Sequence, residues 1–124
     1  MTKKLELQVV GLQYRVAPST RRMMKDHLPM KVKLVREPRN TKDRNAIKVV
    51  VASGSPYKKI HIGYIRRQIA AMLSPAIKRK KIELGEAWVT EIDPAEGLAE
   101  MFVKVSGPTK FLQIVQKQDD EIRA

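Results

Sequence analysis

Apolar and polar residues alternate along several short segments of the chain, which is typical of half-buried β-strands. The first runs through Leu5, Leu7 and Val9, separated by charged or polar residues, and ends at Gly11. The pattern returns in five further segments: residues 31–35, 47–51, 59–63, 82–92 and 100–105. Short strands in this number predict a mainly β fold with one or two short helices. The expected architecture is an OB-like or SH3-like barrel of about six strands.

One segment has helical periodicity instead. Its apolar residues share one helical face and are Ile65, Ile69, Met72, Leu73 and Ile77. They predict an amphipathic helix over Arg66–Ile77, kinked or divided at Pro75. Four bases, Lys78–Lys81, follow directly. They suit the negative end of a helix, and they equally suit contact with nucleic acid; both interpretations stay open.

The remaining segments carry weaker signals. Residues 15–31 predict a long loop with at most a helical turn at Thr20–His27, and residues 53–56 and 93–97 predict turns. Phe111–Val115 fits either a helix or a last strand, and residues 118–124 are expected to fray. We therefore expect a single domain over residues 1–108 and a partly frayed extension over residues 109–124.

The charge narrows the class of partner. In 124 residues, 25 bases face 13 acids, which gives a formal charge of +12 and a pI near 10.2. The excess lies in residues 15–48 and 58–81, whereas residues 82–124 hold more acids than bases. Such an asymmetry predicts one face that attracts polyanions, nucleic acid before anionic membrane.

Several classes of function are disfavoured. Without cysteine the chain has neither a disulfide nor a thiolate zinc site, and the histidines, carboxylates and glycines show no ligand or phosphate-loop spacing. Glu83, Glu86, Glu91 and Asp93 alternate along a predicted strand, as on a solvated face. We expect no enzyme, cofactor or metal. No apolar run approaches membrane-spanning length and the start lacks a signal-peptide core, so we expect an intracellular protein of cytoplasm or nucleoid.

The most informative stretch is Val35–Val51. It places Arg36, Arg39, Lys42 and Arg44 around a turn rich in Asn and Asp, followed by a β-branched strand. A basic polar turn on a rigid strand is typical of a loop that contacts phosphates or bases. An ordinary surface hairpin has the same composition, and this alternative stays open.

The three tyrosines, Tyr14, Tyr57 and Tyr64, are the candidates for stacking on a nucleobase. Tyr14 lies in Gln13-Tyr14-Arg15, Tyr64 precedes Ile65-Arg66-Arg67, and Tyr57 precedes Lys58-Lys59. Either Tyr14 or Tyr64 can stack on a base while its neighbours hold phosphates. Each also fits an amphipathic residue at the edge of the core.

Three blocks of the sequence, residues 10–14, 34–49 and 62–70, together resemble the HIRAN domain family. The middle block carries Arg36-Glu37-Pro38 and Asp43-Arg44-Asn45-Ala46-Ile47, and the third carries Gly63 before bases and an alanine-containing helix. The resemblance runs from about residue 5 to residue 92. It implies a modified OB-like barrel, found alone in bacteria and phages or fused to helicases and nucleases. It also implies binding of single-stranded DNA with capture of its free 3′ end, in support of fork remodelling and DNA repair.

The positions that match the family's pocket are Gln13 and Tyr14, Asn40 to Asp43, and Tyr64 to Arg67. Three of them depart from the family pattern. End-binding members of the family carry a basic residue at the position of Gln13 and a stacking Tyr at the position of Lys42. At the position of Tyr64 they carry His. Tyr14 and Asp43 remain, and a carboxylate can accept a hydrogen bond from a terminal 3′ hydroxyl. Whether end recognition persists is therefore open, and Asp43 and Asn45 also suit a turn that bonds its own backbone.

We expect a non-catalytic module that binds single-stranded DNA in a basic groove. The predicted nucleic-acid-binding residues are Gln13, Tyr14, Arg15, Arg36, Arg39, Asn40, Lys42, Asp43, Arg44, Tyr64, Arg66 and Arg67. Two alternatives stay open. One is RNA binding; the other is an accessory subunit of a helicase, nuclease or RNA-guided complex, docked through the acidic third and Phe111–Val115.

Overall fold

The computed structural model describes residues 2–11, 17–52, 60–83, 87–93 and 100–123. Six strands form a closed barrel in the order β1-β4-β3-β2-β5-β6. They are β1 Thr2–Val10, β2 Met30–Arg36, β3 Ile47–Val51, β4 His61–Ile65, β5 Ala87–Asp93 and β6 Glu100–Pro108. Neighbouring strands are antiparallel throughout. The predicted fold class, a small OB-like barrel of about six strands, is confirmed.

The barrel forms because the alternating residues sort to its two faces. Leu5, Leu7 and Val9 of β1 point into the core, and so do Ile47 and Val49 of β3. Along β3 buried and half-buried positions alternate residue by residue. Closure pairs the edge strands, so the apolar inner faces meet in one core and no long edge is left open.

β4 approaches the end of β1 closely, and Gly63 makes this possible. A Cβ atom at Gly63 would lie 2.6 Å from the Val10 carbonyl oxygen and 2.7 Å from Val9 Cγ1. The paired residues there are Val9 with Ile65 and Val10 with Tyr64. The missing side chain at Gly63 thus lets β4 approach β1 closely enough for Tyr64 to pair with Val10. Val10 is the last residue of β1 and the first residue of the sequence block 10–14.

Three helices pack around the barrel: α1 Pro18–Lys25, α2 Arg67–Lys78 and α3 Thr109–Arg123. In α2, Ile69 and Leu73 are buried against the core, as the periodicity predicted, but the helix continues through Pro75. Proline removes one backbone hydrogen bond, and in the last turn few others depend on it. None of the helices that the structure describes is long and apolar enough to cross a membrane.

Two further expectations about the helices need correction. α1 occupies part of the predicted loop, and of its side chains Met24 is fully buried; Pro18 suits a first helical position. α3 runs to Arg123 where fraying was expected, because Asp119 is buried and Ile122 packs on the core. The described residues thus contain three helices.

The C-terminal segment bears on one alternative function, the accessory subunit that docks through Phe111–Val115. Leu112 and Val115 are fully buried in the core and Phe111 packs against it, whereas Ile114 is 60% exposed. The predicted docking role of Phe111–Val115 is therefore wrong for most of its apolar side chains, since they stabilise this chain's own barrel. The division into residues 1–108 and 109–124 stays a prediction. The turn predicted at 53–56 lies outside the described residues, and so does the turn predicted at 93–97 except for Asp93, which ends β5.

Candidate nucleic-acid interface

The basic turn between β2 and β3 is held by its own backbone. The Glu37 N–H donates to the Ala46 carbonyl at 2.9 Å, which closes the two ends of the turn. Inside it, the Asn40 N–H donates to the Glu37 carbonyl at 3.0 Å and the Ala46 N–H to the Asp43 carbonyl at 3.1 Å. Residues 37–46 therefore form an ordered platform and not a loose loop.

Two polar side chains complete the turn. Asn40 Oδ1 accepts from the backbone N–H groups of Lys42 at 3.0 Å and Asp43 at 3.1 Å. Asp43 Oδ1 accepts from the Asn45 N–H at 2.9 Å. Side-chain oxygens that bond the backbone two or three residues onward are the usual way Asn and Asp build turns. The turn-forming role expected of Asp43 is thus filled by one of its carboxylate oxygens. Asn45 takes part through its backbone N–H, and Asn40, for which no such role was predicted, takes part through its single side-chain oxygen.

The second oxygen of Asp43 faces a different element. Asp43 Oδ2 lies 3.9 Å from Nε of Arg67, the first residue of α2, whose side chain is 76% exposed. At this distance and exposure the pair is a weak ion pair. Within the described residues, Asp43 Oδ2 has this one polar neighbour, so it retains capacity to accept a hydrogen bond from a ligand.

Glu37 links the turn to β4. Its carboxylate receives hydrogen bonds from the Tyr64 and Asn40 side chains, the latter at 3.3 Å, and lies 3.9 Å from Lys48 Nζ. Partial burial by itself raises the pKa of Glu37. The Tyr64 and Asn40 hydrogen bonds, with the charges of Lys48 and His61, outweigh burial and bring the pKa below its ordinary value. The carboxylate is therefore ionised at neutral pH and anchors the Tyr64 hydroxyl.

One row of the barrel joins the three sequence blocks. Tyr64 of β4 is paired with Val10 of β1 on one side and with Lys48 of β3 on the other. Each of these residues belongs to a different block of the resemblance. The Tyr64 ring also meets His61 edge to face, with centroids 4.7 Å apart. Tyr64 is thus fixed at its hydroxyl and along its ring.

Two adjacent arginines at the start of α2 behave differently. Arg67 is exposed, whereas Arg66 is half-buried and donates to Gln8 Oε1 of β1. Arg66 Nε is buried without a hydrogen-bond partner among the described residues. Arg67 is therefore free to reach a ligand, and the role of Arg66 as a phosphate contact stays a prediction.

A cleft of about 630 Å³ lies between the turn and the C-terminal end of α2. Arg36 is one of its lining residues, and Arg36 Nε donates to the buried Ser74 Oγ at 2.9 Å. The lining cations are Arg36, Arg39, Arg44, Lys78 and Arg79. No acidic side chain is among the described residues that line this cleft.

The structure thus brings most predicted site residues to one region. Asn40, Asp43, Tyr64 and Arg67 lie around the turn and the start of α2, and Lys42 is exposed at the turn. Gln13, Tyr14 and Arg15 lie outside the described residues. Four residues that line or order this region were not among the predicted nucleic-acid-binding residues: Glu37, Ser74, Lys78 and Arg79. The run of bases after α2 was a signal for the last two, but the contacts of Glu37 and Ser74 join distant segments. The described residues include no cluster of three metal-binding side chains.

A closed antiparallel barrel with a basic turn on one side places the chain among the small OB-like barrel proteins. The model of the HIRAN domain matches residues 3–107, and the chain therefore belongs to the HIRAN domain family. This confirms the resemblance seen in the three blocks. Among curated proteins, none matches this sequence.

Solved structures agree on the fold. The crystal structure of the HIRAN domain of human HLTF shares 22% identity at a TM-score of 0.60, over 95% of this chain and 87% of that one. The NMR structure of the HLTF HIRAN domain shares 21% identity at a TM-score of 0.56, over 96% of this chain and 87% of that one. The crystal structure of a protein from Lactobacillus plantarum shares 24% identity at a TM-score of 0.55, over 86% of this chain and 96% of that one. At these identities the likeness concerns the fold.

Proposed function

We propose that this protein is a non-catalytic module that binds single-stranded DNA and receives the 3′ end of the strand beside Asp43. One observation carries the proposal. The turn of residues 37–46 holds Asp43 with one oxygen bonded to the backbone and the other turned toward the exposed Arg67. A fixed acceptor next to an exposed cation suits a ligand that offers a hydroxyl and a phosphate together.

The terminal nucleotide of DNA has this chemistry. Its 3′ hydroxyl would donate to Asp43 Oδ2, and the phosphate on the other side of the sugar would pair with Arg67. Lys42, exposed on the same turn, adds a second cation in place of a stacking ring. Family membership and the charge of +12 support nucleic acid as the ligand class.

Tyr64 contributes through its position. Its hydroxyl is bound by Glu37 and its ring contacts His61, so base stacking there would meet a side chain that is already ordered. An ordered aromatic loses little entropy on binding. Tyr14, Gln13 and Arg15 are retained as proposed contacts from the sequence, and so are Arg36, Arg39, Arg44 and Arg66. We place the protein inside the cell, where such strands occur, as a module able to act alone or within a larger nucleoprotein complex.

The class of ligand is tested by fluorescence anisotropy of the full chain with one sequence as single-stranded DNA, RNA and blunt duplex. Single-stranded DNA should bind tightest, and its affinity should fall steeply with salt because each phosphate contact releases counterions. Equal or tighter binding of RNA would replace DNA with RNA in the proposal. Absence of binding at low salt would overturn it and favour an accessory protein that acts through a partner.

The role of Asp43 is tested by Asp43→Asn, which keeps an oxygen for the Asn45 N–H and removes the charge. The wild type should prefer a 3′ hydroxyl over a 3′ phosphate, and the variant should bind both alike. Asp26→Asn, which removes the same charge from an exposed position after α1, should keep the preference. A preference that survives in Asp43→Asn would show that this carboxylate does not read the end.

A further inference from the structure

The cleft between the basic turn and the C-terminal end of α2 has features that the end pocket does not explain. Its walls present five cations from two stretches of the chain, residues 36–44 and 78–79, and no acid from the described residues. Like charges on facing walls repel each other, and this repulsion is relieved when an anion enters between them. The cleft is also concave, which suits a narrow chain more than a flat surface.

The chain segments that carry the cations are ordered. Arg36 is fixed by its hydrogen bond to Ser74, which is fully buried in α2. The backbone at the end of α2 is also hydrogen-bonded, because the Lys80 N–H donates to the Ile77 carbonyl and the Lys81 N–H to the Ala76 carbonyl, each at 3.0 Å. Lys80 has a φ of 56°, the left-handed conformation that usually ends a helix in this way. Lys78 and Arg79 therefore extend from a fixed backbone.

The cleft shares the basic turn with the proposed end pocket, since Asn40 and Arg44 line it, but its other wall stands at the far end of α2. Arg67 begins α2 and Arg79 follows its last residue, so the two are separated by roughly 18 Å along the helix axis. A second cleft of about 910 Å³ is lined by Val35 and Ile77, the chain neighbours of Arg36 and Lys78. Six of its ten lining residues are apolar, and such side chains can contact a nucleobase.

We propose that this basic cleft is a second subsite, which binds the phosphodiester backbone of the strand several nucleotides before its 3′ end. The inference rests on the proposed function, since it assigns to the same DNA strand a path from the end pocket along α2. Lys78 and Arg79 form one wall and Arg39 and Arg44 the other, with Arg36 between them. These contacts supply affinity and salt dependence, whereas Asp43 supplies end recognition.

The test uses Lys78→Gln/Arg79→Gln in the full chain with a single strand of about 12 nucleotides, within the site sizes of OB folds. Loss of two phosphate contacts should lower the slope of log affinity against log salt by about 1.4 and weaken binding about tenfold near physiological salt. The matched control is Lys110→Gln/Lys117→Gln, which removes two exposed charges from α3. It should leave the salt slope close to that of the wild type.

A second variant, Arg39→Gln/Arg44→Gln, removes the opposite wall and should weaken binding in the same way. All four cations are exposed, so the variants should unfold near the wild-type midpoint. Both double variants of the basic cleft should retain the wild-type preference for a 3′ hydroxyl. The proposed subsite would be rejected if either double variant of the basic cleft kept a salt slope equal to that of the α3 control. Loss of the preference for a 3′ hydroxyl in either double variant would also reject it. Failure of the wild type to bind DNA would instead reject the proposed function itself.

Discussion

Arg36 at the end of β2 is hydrogen-bonded to Ser74 in the middle of α2, with 2.9 Å between Nε and Oγ. The two residues are 38 positions apart, and the bond ties the strand that enters the basic turn to the helix that forms the facing wall. Ser74 has no exposed surface. The geometry of the cleft therefore depends on a contact inside the protein.

Ser74→Ala removes this acceptor and should lower the free energy of unfolding by about 1.5 kcal/mol, since a hydrogen bond from the charged Arg36 guanidinium is lost. Because Arg36 is then free to move, affinity for a long single strand should also fall. Urea denaturation and anisotropy measure the two effects. Ser19→Ala, at an exposed position of α1, is the control and should change neither. Unchanged stability in Ser74→Ala would show that Arg36 finds water as an equal partner.

Glu37 makes stability depend on pH. Its pKa is lower in the folded protein than its ordinary value of 4.5, so the folded state favours the ionised form. The stabilisation is complete above the unfolded pKa and is lost as pH falls through the lower, folded pKa. At neutral pH, Glu37→Gln should cost about 1 kcal/mol. The difference from the wild type should shrink below about pH 4.5.

Denaturation midpoints at several pH values measure this effect. Glu83→Gln, which neutralises an exposed acid, should leave both the stability and its pH profile near wild type. A constant difference between wild type and Glu37→Gln down to pH 3 would contradict the assigned role of the carboxylate.

Gly63 is required by the close approach of β4 to β1. In Gly63→Ala the new Cβ would meet backbone at 2.6 Å, so the strands must separate, and we expect a loss of about 3 kcal/mol, at the upper end of ordinary substitutions. Gly11 offers the contrast, because it has a φ of +81° and open space around its Cβ position. Gly11→Ala should cost about 1 kcal/mol through backbone strain alone. Equal losses in urea denaturation would contradict the packing argument.

The barrel could be predicted from sequence because its signal is local. Alternation along Leu5, Leu7 and Val9 reports one buried face directly, and Gly11 reports the end of the strand. α1 was predicted only as a helical turn at Thr20–His27, because a helix of eight residues that buries Met24 produces no repeating apolar stripe. The end of α3 was missed for a related reason, since its polar residues conceal a buried Asp119.

The site was predictable in part. The composition of residues 36–45 predicts a basic turn. The resemblance in residues 10–14, 34–49 and 62–70 predicts which strands lie beside it in the barrel. The contacts that order it are not local: Glu37 meets Tyr64, and Arg36 meets Ser74, across long stretches of chain. No periodicity encodes such pairs. The bases after α2 were visible in the sequence, but the opposite wall of their cleft became clear only in the folded chain.

The most direct measurement is an anisotropy titration of the full chain with one single-stranded DNA that ends either in a 3′ hydroxyl or in a 3′ phosphate. The account predicts clear binding of the hydroxyl form and weaker binding of the phosphate form, since Asp43 Oδ2 accepts from a hydroxyl and repels a phosphate. We expect a difference of about tenfold, the value of one hydrogen bond to a charged group. Equal affinities would contradict end recognition, and absence of binding to either strand would contradict the proposed function as a whole.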